Sequence, residues 1–166
     1  MTDFIIRTPR PEEANAMAEI EALGFAPAEA ASLAQITARL AVFPEQFFVA
    51  EQDNRVVGFI NGCSADTPHL PDEFYADANH HQPNGAYAFV FGLAVHPDYQ
   101  RRGMAAALLN HYIAAMRERG KRGVVLTCKA HLLDYYRGFG FAHGGVADSE
   151  HGGAEWHEMT LLFSGH

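Results

Sequence analysis

The sequence predicts an α/β domain with a mixed central sheet of about seven strands flanked by about four helices. Three observations carry this. Short β-branched and aromatic runs alternate with longer amphipathic ones, and turn residues punctuate them. The stretch GLAVHPDYQRRGMAAAL (92–108) also packs a strand end, a basic turn and a helix start into a few residues. At 166 residues, the chain is expected to be a single domain over 1–166, long enough to bury a core.

The elements follow in order. FIIR (4–7) reads as a short first strand. Pro11 followed by Glu12 and Glu13 suits a helix start, because proline lacks only an orphan N–H there and acids favour the positive helix end. Met17, Ile20 and Leu23 mark one face of that helix, and Gly24 its end. A second helix carries Leu33, Ile36 and Leu40 and stops before Pro44. FFVAEQ and RVVGFINGC flank Asp53-Asn54 and read as a hairpin. Residues 64–84, rich in Asp, Pro, His and Asn, predict a long loop. AYAFVFGLAV (86–95) predicts a long central strand, followed by a helix from Gly103 to Arg119. GVVLTC is the next strand and HLLDYYRGF a short helix; FAHGGV and EWHEMTLLF close the sheet.

Composition narrows the function classes. The formal net charge of −8 argues against a general nucleic-acid binder, whose footprint is basic. No apolar run reaches the ~18 residues of a membrane span, and MTDFIIRTPR lacks a signal-peptide core, so a cytoplasmic location is expected. Cys63 and Cys128 lie in apolar runs and read as buried thiols rather than a disulfide. The histidines do not fall at spacings that bring metal ligands together, so no metal site is expected.

The basic turn suggests a ligand. A helix N-terminus presents free backbone N–H groups and partial positive charge, which together hold phosphate. Gly103 removes a side chain where a ligand approaches the backbone, Ala105 and Ala106 after Met104 keep the first turn narrow, and Arg101 and Arg102 add charge. No Gly-Lys-Ser/Thr follows, so this is not a Walker loop, and the three-glycine dinucleotide fingerprint is absent. Alone, Gln100-x-x-Gly103-x-Ala105 also fits two surface arginines before an ordinary helix.

In context the pattern says more. A strand, LAVHPDYQRRGMAAALL, a helix, a further strand and LLDYYRGFGF resemble the GCN5-related N-acetyltransferase (GNAT) superfamily in order and spacing. The resemblance implies the acyl-CoA N-acyltransferase fold, acetyl-CoA as acetyl donor, and an amine acceptor. It puts the pyrophosphate on Gln100 to Ala106, the pantetheine along Leu93, Ala94 and Val95, and Tyr136 near the thioester. Homodimers are common in that superfamily. FPEQFFVAEQDNRVVGFI, LTCKAHLLDYYRGFGF and EMTLLF look closest to the arylalkylamine (serotonin) N-acetyltransferase group. By that similarity Tyr136 protonates the departing thiolate, and Phe43, Pro44, Thr127 and Trp156 fall near the amine pocket. The animal enzymes carry two histidines where this chain has Phe89 and Phe91, and these two are counted with Trp156 as candidates to line an aromatic amine pocket.

Chemistry gives these positions roles. Gly92 inside an apolar run predicts a break in strand pairing, which would free a backbone N–H near Leu93 for a thioester oxygen and open a slot beside GVVLTC. Tyr136, with an ordinary pKa of ~10, matches a thiolate leaving group. Cys128 lacks an obvious activating base, which favours direct ternary-complex transfer over a ping-pong route. Phe89 and Phe91 cannot accept a proton, so two routes remain. Either water carries the proton to His131, Glu155 or His157, or the enzyme captures the scarce neutral amine. Acceptors other than an arylalkylamine are a protein N-terminus, a lysine or an aminoglycoside. A non-catalytic acyl-CoA sensor would keep the turn and lack turnover.

Overall fold

The computed structural model describes residues 4–147 and 155–163. Among the described residues nine strands form two sheets, more than the expected seven. The first sheet has the order β1 (Ile5–Arg7), β2 (Phe47–Gln52), β3 (Arg55–Asn61), β6 (Gly92–Val95), antiparallel throughout. The second has the order β4 (Ser64–Ala65), β5 (Tyr87–Val90), β7 (Gly123–Cys128), β9 (His157–Leu162), β8 (Ala142–Val146). Within it β5 runs parallel to β7 and the other pairs are antiparallel.

The extra strands have two sources. The expected strand 86–95 is cut in two at Phe91, so β5 and β6 lie in different sheets with one residue between them. The expected loop 64–84 contains β4, the single-turn helix α3 (Glu73–Ala76) and a 3-10 turn. The hairpin β2–β3 turns at Asp53 and Asn54, both at positive φ, as a tight two-residue turn requires.

Helices α1 (Ala14–Gly24) and α2 (Leu33–Val42) pack together, and α1 also lies against β3 and β6. Ser32 caps α2, accepting a hydrogen bond from Gln35 N–H while the Gln35 side chain takes the Ser32 N–H. In α1 the buried positions are Ala14, Met17, Ile20 and Glu21; Leu23, expected on that face, is exposed. A carboxylate therefore occupies a position in the apolar stripe of this helix.

The long helix α4 (Met104–Glu118) covers β2, β3, β6 and β7 with Leu108, Leu109, Tyr112 and Met116 buried. Tyr112 donates from its hydroxyl to Phe89 O at 2.6 Å and receives Gln46 Nε2 at 3.1 Å, while Ser64 donates to Gln46 Oε1 at 2.6 Å. This buried chain of hydrogen bonds fixes the backbone just before the break. Gly62 lets that backbone come close, since a Cβ there would sit 1.5 Å from Phe89 O. The last helix, α5 (Leu133–Arg137), follows a 3-10 turn at the end of β7.

Candidate functional site

The break at Phe91 creates the site. Beyond it β6 pairs only with β3, while β7 stays with β5 and β9, so β6 and β7 diverge and leave a slot. The pairing register fixes which backbone groups face it. His96 N–H donates to Val57 O at 2.7 Å, and hydrogen-bonded positions alternate along an antiparallel pair. Gly92 and Ala94 therefore bond toward β3, and the N–H and C=O groups of Leu93 and Val95 point away from it. Val95 O receives Gln100 Nε2 at 3.1 Å.

Two cavities lie along this opening. One, of about 560 Å³, is lined by Leu93, Ala94, Val95, Gln100, Arg101, Gly103, Met104, Ala105 and Ala106 together with Phe25 and Tyr135. Gly103 is the N-cap of α4 at φ 76°, and the first bond of the helix runs from Ala107 N–H to Gly103 O. The N–H groups of Met104, Ala105 and Ala106 precede that bond and have no partner inside the helix. Arg101, also at positive φ (64°), borders this cavity. Arg102 does not. Its guanidinium lies over the Tyr99 ring at 5.1 Å and bonds Asp98 O at 3.4 Å, because the tight turn sends adjacent side chains in different directions.

The second cavity, of about 350 Å³, shares Gly24, Phe25, Leu93 and Leu132 with the first. Phe91, Thr127, Tyr136 and Trp156 meet in its wall, together with Glu21, Glu29, Tyr75, Cys128, Lys129 and His131. Tyr136 has its ring edge against Tyr135 and Phe141, and its hydroxyl has no hydrogen-bond partner among the described residues. Burial, reinforced by Cys128 and Tyr135, pushes its pKa above the ordinary tyrosine value, so it keeps its proton. Cys128 is a free thiol that burial pushes up to about 11, which leaves it protonated and a poor nucleophile. Tyr75 and Thr127 share a hydrogen bond of 2.9 Å, and burial pushes Tyr75 up to about 12.

Three of the residues expected in the amine pocket stand elsewhere. Phe89 is fully buried against Phe74 and does not line the cavity. The break interrupts strand alternation after it, so Val90 and Phe91 both reach the cavity instead. Phe43 is fully buried behind Phe91, ring centres 6.2 Å apart, and supports that ring from the back. Pro44 opens an exposed 3-10 turn on the far side of Phe43. Two of the proton acceptors considered are also elsewhere. His157 bonds His143 at 2.9 Å and Glu155 at 3.2 Å, outside the cavity. His131 does line it.

The carboxylate that sequence reasoning missed is Glu21. It is 5% exposed, and its Oε2 accepts Ala31 N–H at 2.9 Å. Its Oε1 lies 3.4 Å from where a Cβ on Gly92 would stand, so the glycine at the break makes room for it. The Glu21 charge acts on the buried Arg39 guanidinium, whose pKa burial lowers and Glu21 raises. Arg39 in turn sits 4.5 Å over the Phe91 ring and bonds Asn61 Oδ1 and Tyr75 O. A signal for Glu21 was present in the sequence. It is four residues beyond Met17, on the apolar stripe, where a charge needs a reason.

A test of the donor cavity follows from the backbone of Gly103. A Cβ there would meet nothing within 4 Å, so the turn has space, but a β-branched residue at φ 76° pays about 1–2 kcal/mol of strain. It would also project into the ligand's approach. Gly103→Val is expected to weaken coenzyme A binding by about tenfold or more in calorimetry. Unchanged affinity would remove this turn from the donor site.

Comparison with known proteins gives the family and the fold. Residues 12–141 match the Acetyltransferase (GNAT) family. The [ribosomal protein bS18]-alanine N-acetyltransferase of Salmonella typhimurium is 30% identical over 80 residues, 46% of this chain and 54% of that protein. The chain thus spans about half the length of this curated relative. The loading GNATL domain of CurA from Lyngbya majuscula has the same fold, with a TM-score of 0.84 at 14% identity, covering 97% of this chain and 98% of that one. The ribosomal-protein-S18-alanine N-acetyltransferase from Escherichia coli superposes at 0.72 with 21% identity, over 99% and 96% of the two chains. Among the described residues no helix is long and apolar enough to cross a membrane. The match over most of its length makes this chain a member of the Acetyltransferase (GNAT) family.

Proposed function

We propose that the protein transfers an acetyl group from acetyl-CoA directly to a primary amine, with a small arylalkylamine as the preferred acceptor. The observation that carries this is the second cavity. It joins a buried carboxylate, a backbone donor at a strand break and a protonated tyrosine inside aromatic walls. The pyrophosphate lies on the Gly103–Ala106 turn with Arg101, and the pantetheine follows Leu93 and Val95 into the slot. Leu93 N–H polarises the thioester carbonyl. Glu21 receives the acceptor's ammonium, takes its proton and leaves the nitrogen lone pair to attack. The nitrogen gives its second proton to solvent as the tetrahedral intermediate collapses, the C–S bond breaks, and Tyr136 gives its proton to the sulfur and regains one from solvent. Phe25, Tyr75, Phe91 and Trp156 favour an aromatic body on the amine.

A second reading, acetylation of a peptide N-terminus, draws support from the Salmonella relative, whose named substrate is an alanine of a ribosomal protein. Free coenzyme A release, measured across arylalkylamines, polyamines, amino acids and peptides beginning with alanine, separates the two. The expected result is turnover with arylalkylamines at kcat/KM well above that of peptides. Preference for the peptides overturns the acceptor assignment. Binding of acetyl-CoA without turnover on any amine leaves a sensor.

A further inference from the structure

The acceptor cavity already contains an amine of the protein's own. Lys129 follows β7 directly and lines the same wall as Leu93, Thr127 and Tyr136. Its Nζ meets Glu29 Oε2 at 2.8 Å and stands 5.8 Å from the centre of the Trp156 ring. A carboxylate and an aromatic face are the two features by which proteins hold an ammonium. Glu29 belongs to the turn between α1 and α2, so this ion pair spans the cavity mouth from one sheet's covering helices to the other sheet's central strand.

Composition sharpens the point. The chain has ten arginines but only two lysines, Lys121 and Lys129. Lys121 is 6% exposed, and its Nζ donates to Pro83 O and Gly85 O, both at 2.8 Å, on another part of the surface. Lys129 is thus the one side-chain amine of the two that borders the cavity. Lys129 and Tyr136 both line this cavity of about 350 Å³.

We propose that Lys129 is a self-acetylation site, modified within the protein's own cavity by bound acetyl-CoA. The inference rests on the donor and acceptor geometry proposed above. As an ammonium Lys129 has no lone pair, so it first loses a proton to Glu29. The neutral Nζ then attacks the thioester carbon, an N–C bond forms, and the C–S bond breaks. The nitrogen sheds its second proton to solvent, the sulfur takes one from Tyr136, and the products are acetyl-Lys129 and coenzyme A. No further reactant is needed. Acetylation removes the positive charge and breaks the pair with Glu29, so one competing cation is gone from the cavity wall. The acetylated protein is therefore the form that takes a cationic acceptor more readily.

The test uses the full chain incubated with acetyl-CoA and no acceptor, followed by intact mass and peptide mapping. The expected result is one acetyl group, on Lys129, appearing with a first-order rate that does not change on dilution. Lys129→Arg is expected to lose the label while still binding coenzyme A, and Tyr136→Phe to slow it. Glu29→Gln, which removes the group that takes the first proton, is expected to slow it severalfold. Pre-acetylated protein is expected to show a lower KM for cationic acceptors. Label on the α-amine or on Lys121 instead, or equal labelling of the urea-unfolded chain, overturns the proposal. So does an unlabelled Lys129 in protein that turns over an added amine. A chain that neither binds coenzyme A nor takes label overturns the parent reading with it.

Discussion

Tyr136→Phe is expected to lower kcat by about 10²-fold or more while coenzyme A affinity stays within a factor of about two. The reason lies in the environment of the hydroxyl. Burial, with Cys128 and Tyr135 nearby, raises its pKa, so the proton is present throughout the neutral range. A proton held that firmly is given up when a basic thiolate forms beside it, which places the effect in the chemical step. The sign of the pH dependence follows. Because the pKa is raised, activity that depends on the protonated hydroxyl is complete at neutral pH and is lost only as pH climbs above the ordinary tyrosine range near ~10. Phenylalanine keeps the ring packed on Phe141 and Tyr135, so a fall in kcat with unchanged melting temperature identifies the lost proton. Wild-type turnover under conditions where chemistry limits the rate would make Tyr136 a packing residue.

Glu21→Gln is the second large effect. The amide keeps the shape and the bond from Ala31 N–H, and removes the charge that receives the ammonium. We expect kcat/KM at neutral pH to fall by about 10²-fold. The variant's remaining activity should come from acceptor that is already neutral. An aliphatic ammonium has a pKa of ~10.4, so that fraction grows about tenfold per pH unit, and the variant's kcat/KM should climb with the same slope. The wild-type profile should be flatter, because Glu21 takes the proton inside the site. A variant with the wild-type rate and profile would reduce Glu21 to a clasp on the turn at Ala31.

Much of the fold was legible because its elements are local. The spans of β2, β7 and α4 follow directly from apolar periodicity and turn residues, and the glycine at 92 flagged the strand break in advance. The site was legible where it depends on backbone, as with the turn at Gly103 and the slot edge at Leu93. It was less so where side chains converge from distant segments. Phe89 and Phe91 look equivalent by strand alternation, yet the break between the sheets cancels that rule and sends one into the core. Arg101 and Arg102 look equivalent by charge, yet the turn points them apart. Glu21, Glu29, Tyr75 and Lys129 reach one cavity from separate elements, and only the misplaced charge on the apolar stripe of α1 hinted at any of them.

The two cavities meet at only four residues, Gly24, Phe25, Leu93 and Leu132. On the proposed reading, donor recognition rests mainly on residues between Leu93 and Ala106, and the acceptor walls come from α1, the segment around Tyr75, the end of β7 and Trp156 just before β9. Heritable variation therefore acts on the halves unequally. Drift in the acceptor walls can retarget the enzyme to a new amine without touching the donor run. In a mutational library, variants with altered acceptor preference should gather at Phe25, Tyr75, Phe91 and Trp156, and loss-of-function variants that respect no acceptor at Gly103 and its neighbours. A lineage built this way diversifies by exchanging one wall of a slot while inheriting the other.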